Sequence, residues 1–300
     1  MKTRKKAFIR RLIIILLIFG YYYIKDNQET YSKQEKTTKI EEIQEVSTNL
    51  KIHYIDVGQA DSILIQNKEY NMLIDAGNNA DGPLLVNYLK EQNVTKIDYI
   101  VGTHPHEDHI GGLDNIINNF SIKEVYLPEV MTTTKTFEDV LDSIANNNLE
   151  ITVPTIGDKF QLGEMNFEVI YTGTNEKDLN ASSIVLKMNF GNHSYLFTGD
   201  TTCEVESTFL DKDIDIDILK VAHHGSKYST CNDFLKASTP SHAIISVGEN
   251  NSYNHPELET ITRLKKYTSN IFTTKDLGTI ILTSDGNNIK IDNIKTNTNG

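Results

Sequence analysis

Tryptophan is absent from this 300-residue chain, cysteine occurs twice and proline six times. Two cysteines cannot build a disulfide framework, and six prolines with 17 glycines show neither a collagen-like excess nor a low-complexity one. Aromatic residues are scarce at 8%, which says nothing about ligands, but a hydrophobic content of 38% excludes wholesale disorder. A chain of this length and content buries a full core, as one large α/β domain or two modest ones.

Positive charge is also scarce once its location is considered. Lys2, Arg4, Lys5, Lys6, Arg10, Arg11 and Lys25 fall within the first 25 positions, which hold no acid, so the rest of the chain sets 22 basic against 41 acidic residues. The body therefore carries a charge near −19, where the whole chain carries −12. Such a body repels a polyanion, and no basic stripe or stacking platform is visible to offset that.

Long apolar runs are missing with one exception, the 13 residues Leu12–Ile24, LIIILLIFGYYYI. At about 1.5 Å per residue the run reaches roughly 20 Å against a hydrocarbon core of about 30 Å, the length of a signal-peptide core. No small-x-small cleavage site follows it, however. Arg10, Arg11 and Lys25 are placed to snorkel and the three tyrosines to sit at an interface. The expectation is an uncleaved anchor with the following domain outside the cell membrane, the alternative a secreted protein. Residues 26–49 are polar, without a stripe long enough to pack, and read as a flexible tether spanning about 25–30 Å.

From Leu50 short β-rich runs take over: LKIHYIDV, DSILIQ, YNMLIDAG, IDYIVGT, EVYLP, FEVIYTG, SSIVLKMNF, HSYLFTGD, IDILKVAHHG and HAIISVG, with the helical stretch GPLLVNYLKEQ among them. No repeat of fixed period is present. The pattern predicts a layered α/β fold with a mixed sheet or two sheets over residues 50–295.

The polar residues fall at the ends of these strands. Asp75 ends one, Asp200 another, and His223 with His224 a third, while VGTHPHEDHIGG (Val101–Gly112) packs His104, His106, Asp108 and His109 into six positions of a chain with nine histidines. Loops at strand ends are where sites are assembled on a rigid sheet. His104 and His106, two apart on an extended segment, can grip one cation, with Pro105 stiffening the loop. Asp108 and His109 open the helical pattern HIGGLDNIINNF and turn toward the same space, so the four suit two adjacent ions better than one. Imidazole with carboxylate favours Zn²⁺ or Mn²⁺. Gly111 and Gly112 remove side chains where another backbone or a substrate must come close. Cys203 and Cys231 are compatible with a disulfide or with two small unpaired residues.

THPHEDHIGG, LIDAG, FTGD and HHGS together resemble the motifs of the metallo-β-lactamase-fold hydrolases. IDVGQADSILIQ, NASSIVL and ISVGENNSYNHP resemble the branch typified by the external domain of ComEC competence proteins, to which a phosphorylcholine esterase is related. The similarity runs from about His53 to Asp285. It implies an αββα sandwich with a two-metal centre in the groove between the sheets. His104 and His106 would bind one ion, Asp108 and His109 the other, Asp200 would bridge both and His223 would complete the second. Asp75 would orient the histidine ligands from behind. His224 is expected as a neighbour that hydrogen-bonds the loop.

The resemblance has gaps. Many of these enzymes supply a third histidine to the first ion, and DLNASSIVL has none; Asn180 stands there, as a weak oxygen ligand or a loop former, and His193 is expected at the surface. Ala60 and Asn254 stand where the branch resembles VGQGD and NxYGHP. Two ions about 3.5–4 Å apart activate a bridging water and stabilise charge on substrate oxygens, which suits phosphodiester hydrolysis. His255 would donate to a substrate oxygen or else cap the following helix, and Ser226 and Asn251 would contact phosphate. The expected activity is that of a zinc or manganese phosphodiesterase or nuclease in which a metal-bridging hydroxide attacks phosphorus, with Asp108, Asp200 and His255 in catalytic roles. The alternatives are another ester, lactone or amide hydrolase, or a non-catalytic envelope-binding protein. The substrate would be a small phosphodiester, an envelope headgroup or DNA, although one apolar segment cannot conduct DNA. No obligate protein partner is implied.

Overall fold

Neighbouring residues in each central strand enter different cores. In the second strand Ile63 and Ile65 pack in one cluster and Leu64 in another; Met72 and Ile74 are separated from Leu73 in the same way, as are Tyr195 and Phe197 from Leu196. A strand that is apolar on both faces lies in a sheet covered on both sides. The computed structural model describes Lys25 and residues 50–294; the expected leader and membrane segment, the tether and residues 295–300 otherwise lie outside the described residues.

Among the described residues fifteen strands form two sheets. The first holds eight, in the order β15-β14-β1-β2-β3-β4-β5-β6. These are β1 (Leu50–Tyr54), β2 (Ser62–Asn67), β3 (Tyr70–Ala76), β4 (Lys96–Val101), β5 (Ser121–Tyr126), β6 (Ile151–Thr152), β14 (Thr279–Ser284) and β15 (Ile289–Ile294). The second holds seven, in the order β13-β12-β11-β10-β9-β8-β7. These are β7 (Lys159–Leu162), β8 (Met165–Tyr171), β9 (Val185–Phe190), β10 (His193–Phe197), β11 (Ile218–Lys220), β12 (His242–Ile245) and β13 (Asn270–Thr273). Each sheet is mixed: β3 to β6 run parallel in one and β10 to β13 in the other, with antiparallel neighbours beside them.

One core lies between the sheets and joins Ile52, Ile63, Met72 and Val101 to Phe167, Leu186, Tyr195, Phe197 and Ile218. A second lies under the helices Gly82–Glu91, Leu113–Asn119 and Lys135–Asn146, a third under Asn232–Ser238 and Leu258–Leu264. This is the αββα layering. Each side chain so buried contributes about 1.5–3 kcal/mol. The helix expected from HIGGLDNIINNF breaks at Gly111–Gly112 into Glu107–Ile110 and Leu113–Asn119. Five strands were not legible as apolar runs. β6 is two exposed residues, β7 and β13 are short and only partly buried, β15 is mostly exposed, and β14 joins the first sheet from the far end of the chain. Among the described residues no helix is long and apolar enough to cross a membrane.

Candidate metal centre

The parallel portions of both sheets end at one place, and the site is built from the loops that leave them. Asp75 stands one residue before the end of β3 with φ 59°, a left-handed conformation that Asp tolerates better than most side chains. Its carboxylate is fully engaged. Oδ1 accepts the Thr103 N–H at 2.8 Å, and Oδ2 accepts the Thr103 hydroxyl and the His109 Nδ1–H, each at 2.8 Å. With Nδ1 given to Asp75, His109 turns Nε2 toward Asp200 Oδ2 at 3.3 Å and Asp108 Oδ2 at 3.9 Å.

The other sheet supplies Asp200, three residues past β10, and the two histidines after β11. His223 and His224 have φ 50° and 53°, two consecutive left-handed residues without glycine, at about 1–3 kcal/mol of strain each. His224 is buried. Its Nδ1 donates to the Ser246 carbonyl at 3.0 Å, which leaves Nε2 3.3 Å from Asp108 Oδ2 and 3.7 Å from Asp200 Oδ2. So His224 hydrogen-bonds the loop through one nitrogen and enters the carboxylate cluster with the other, the place where His223 was expected. His223 Nε2 is 3.7 Å from Asp200 Oδ2, but its side chain is 26% exposed and lies at the rim.

Asp108, His109, Asp200 and His224 thus bring four ligand atoms within 4.8 Å of one another. His109 Nε2, His224 Nε2 and Asp200 Oδ1 are buried with no hydrogen-bond partner. Leaving such groups unsatisfied costs about 1–3 kcal/mol apiece, a cost that a divalent cation held by these residues would relieve. Beside them His104 Nε2 and His106 Nδ1 converge to 3.0 Å, and the His104 and His109 rings lie 4.1 Å apart. The Asn180 side-chain oxygen is buried with no hydrogen-bond partner. The donor set fits a metal centre.

Burial, reinforced by His109, lowers the His104 pKa well below the usual imidazole range, and burial also lowers His106, so both hold a free lone pair at neutral pH. Burial would do the same to His109 and His224. There the carboxylates prevail: Asp200, Asp75 and Asp108 hold His109 well above its ordinary value, and Asp200 with Asp61 raises His224. Asp200 is itself held low, against its burial, by His109, His224 and His223. The pocket attracts positive charge.

The surrounding residues sort by what they touch. A Cβ on Gly111 would fall 2.3 Å from the Asn78–Asn79 peptide, and one on Gly112 would fall 2.4 Å from the Ala76 carbonyl, so the close neighbour is the backbone of the Asp75 loop. The left-handed turn in VGQAD is made by Gly58, φ 71°, while Ala60 has no positive φ and is buried; the alanine is accommodated. Asn254 takes φ 60°. Asn251 spends its amide inside the 248–255 loop, donating to the Gly248 and His255 carbonyls and accepting from the His255 N–H. Ser226 is buried and its hydroxyl accepts from the Tyr228 N–H. Both therefore brace loops, where phosphate contact was expected. The His255 ring stands 5.6 Å from that of His223 and 6.5 Å from that of His224, with Nδ1 unpartnered. Burial and the two histidines lower its pKa to about 4, so it faces the centre as a neutral imidazole. His193 opens β10, away from the cluster, and lies 3.7 Å from Asp217.

Sequence reasoning missed Thr103, Ser183 and Asp61. The Ser183 hydroxyl accepts the Asp200 N–H at 3.1 Å and lies 3.4 Å from His104 Nδ1. The motifs were visible, but the short hydroxyl side chains of Thr103 and Ser183 carry no signal of their own, and the partners of Asp61 come from distant parts of the chain. Cys203 and Cys231 are joined as a disulfide, Cα atoms 5.5 Å apart.

This fold, with a buried His/Asp cluster between the strand ends of two mixed sheets, defines a metallo-β-lactamase architecture. Residues 55–249 match the metallo-beta-lactamase superfamily, and the chain belongs to it. It is distantly homologous to competence proteins. It is 28% identical over 256 residues to ComE operon protein 3 of Bacillus subtilis (strain 168), covering 78% of this chain and 33% of that protein. It is 27% identical over 233 residues to Recombination protein 2 of Haemophilus influenzae, covering 75% of this chain and 28% of the other. The chain spans about a third or less of these relatives. Among solved structures, the metallo-beta-lactamase fold protein YhfI from Bacillus subtilis superposes with a TM-score of 0.57 at 13% identity, over 79% of this chain and all of that one.

Proposed function

We propose that the protein is a metal-dependent hydrolase of phosphodiesters. The observation that carries this reading is the cluster of Asp108, His109, Asp200 and His224, whose ligand atoms lie within 4.8 Å of one another and whose histidine Nε2 atoms are buried without hydrogen-bond partners. Asp108, His109 and His224 would hold one Zn²⁺ or Mn²⁺, His104 and His106 a second, and Asp200 would lie between them. Such ions polarise a phosphoryl oxygen and activate water. The chain's own residues supply the rest. Asp75 keeps His109 Nε2 aimed inward, and the Ser246 carbonyl does so for His224. Asn180 would hold the weaker side of the site through its side-chain oxygen, which is buried and unpartnered. His255, neutral at pH 7, would give a ring N–H to a substrate oxygen.

A small phosphodiester or an envelope headgroup suits the protein better than DNA. The body is strongly acidic, which opposes the approach of a polyanion. Hydrolysis assays with bis-p-nitrophenyl phosphate, phosphorylcholine esters, single-stranded DNA, a lactone and nitrocefin, on metal-loaded and chelated protein, test the reading. Turnover of the diesters that vanishes on chelation is expected. Less than one divalent ion per chain under metal-replete conditions refutes it. Residues 1–25 would anchor the chain with the domain outside; protease added to intact cells should then remove the domain, and protection of it would exclude that placement.

A further inference from the structure

Beneath the cluster lies an ion pair that the hydrolytic reading does not use. Lys220 Nζ and Asp61 Oδ2 are 2.7 Å apart and both side chains are 1% exposed. Burying two charges costs several kcal/mol per ion before their attraction is counted, and well-packed apolar residues in their place are often as stable or more so. Stability alone is therefore a poor reason for this pair.

Its connections give another. Asp61 precedes β2 in the first sheet, and Lys220 is the last residue of β11 in the second. The Asp61 N–H donates to the Asp108 carbonyl at 3.0 Å, and the Asp61 carbonyl accepts from Gly77, two residues past Asp75, at 2.8 Å. Its free carboxylate oxygen, Oδ1, has no hydrogen-bond partner and lies 3.5 Å from His224 Nδ1. Lys220 also donates to the Val221 carbonyl at 3.0 Å, three residues before His224, and its own carbonyl accepts from Thr198, two residues before Asp200, at 2.7 Å. One buried contact thus joins the loops that carry Asp75, Asp108, Asp200 and His224, two from each sheet. Lys220 also draws Asp61 Oδ2 to itself, which leaves the His224 ring to the Ser246 carbonyl.

We propose that Asp61 and Lys220 are positioning residues, a charged clamp between the two sheets that sets the spacing of the metal ligands and the orientation of His224. The inference rests on the reading of the cluster as a metal centre. Removing Lys220 alone strands a buried carboxylate and endangers folding, so the test replaces both members, as Asp61→Leu with Lys220→Met and, keeping neutral polar groups, as Asp61→Asn with Lys220→Gln. The exposed cross-sheet pair Lys68–Glu164, 2.9 Å apart, serves as the control, replaced by Lys68→Met with Glu164→Gln.

Zn²⁺ dissociation constants are measured by chelator competition, thermal unfolding is followed on metal-free protein, and visible spectra are recorded after Co²⁺ loading. Both clamp variants should unfold within a few degrees of the unmodified protein, yet bind one ion per chain about 10- to 100-fold more weakly, with an altered cobalt spectrum. The control should bind as the unmodified protein does. Unchanged affinity and spectrum in the clamp variants overturn the proposal, as does an affinity loss matched by an equal loss in the control. Absence of metal binding by the unmodified protein overturns the metal-centre reading itself, and the clamp with it.

Discussion

Reduction of Cys203–Cys231 should cost the protein about 3.5 kcal/mol. The bridge closes a segment with a sequence separation of 28, and loop-closure entropy for a ring of that size amounts to roughly that figure at 25 °C. Most of the loss should come from the freed unfolded chain, because the folded neighbourhood keeps other ties. The Cys203 N–H donates to the Tyr228 carbonyl at 2.8 Å, and the buried Glu206 carboxylate accepts the Thr230 and Cys231 N–H groups at 2.6 and 2.9 Å. For a domain of this size the change corresponds to a drop in Tm of about 7–14 °C. The assay is urea unfolding of chelated protein, oxidised against reduced and against Cys203→Ala with Cys231→Ala. Chelation is needed because a ligand that binds only the folded state adds its own stabilisation. A loss below about 1 kcal/mol in both comparisons would refute the entropic reasoning. A loss far above 5 kcal/mol would show that the bridge also holds the native loops, which carry Asp200 and His224.

Asp200→Ala, which removes the carboxylate between the two sets of ligands, should abolish retention of at least one ion per chain. His255→Ala should keep the metal content and lower kcat by about 10²- to 10⁴-fold; metal analysis beside kinetics separates the two, and metal loss in His255→Ala would make that residue a ligand. Asp75→Asn keeps the left-handed backbone but sets an amide against the donors on Thr103 and His109, so metal affinity should fall about 10- to 100-fold, read by chelator competition. Burial, opposed by the Cys231 and Thr230 N–H groups and by Arg263, raises the Glu206 pKa from 4.5 to about 7. The folded state then holds a proton that the unfolded chain has released. Stability contributed at this residue is fully present below pH 4.5 and is lost by about 3 kcal/mol as the pH rises to about 7. Urea midpoints against pH should show this slope, and Glu206→Gln should flatten it; equal slopes would exclude Glu206 as the source.

Much of this protein was written locally. Strand periodicity shows wherever an apolar run is long, and His104, His106, Asp108 and His109 stand so close in sequence that any turn brings them together. The strand-end aspartates Asp75 and Asp200 were legible for the same reason. Residues joined only by packing were not. Which of two adjacent histidines points into the cluster depends on consecutive left-handed residues, a conformation that no side-chain pattern announces. The pairing of Cys203 with Cys231, the turn of Asn251 into its own loop and the meeting of Asp61 with Lys220 were decided when two sheets closed on a shared core, because each needs a partner from a strand or loop distant in the chain or a backbone fixed by others. Local rules decide what a residue can do; the distances that decide what it does exist only after the sheets have packed.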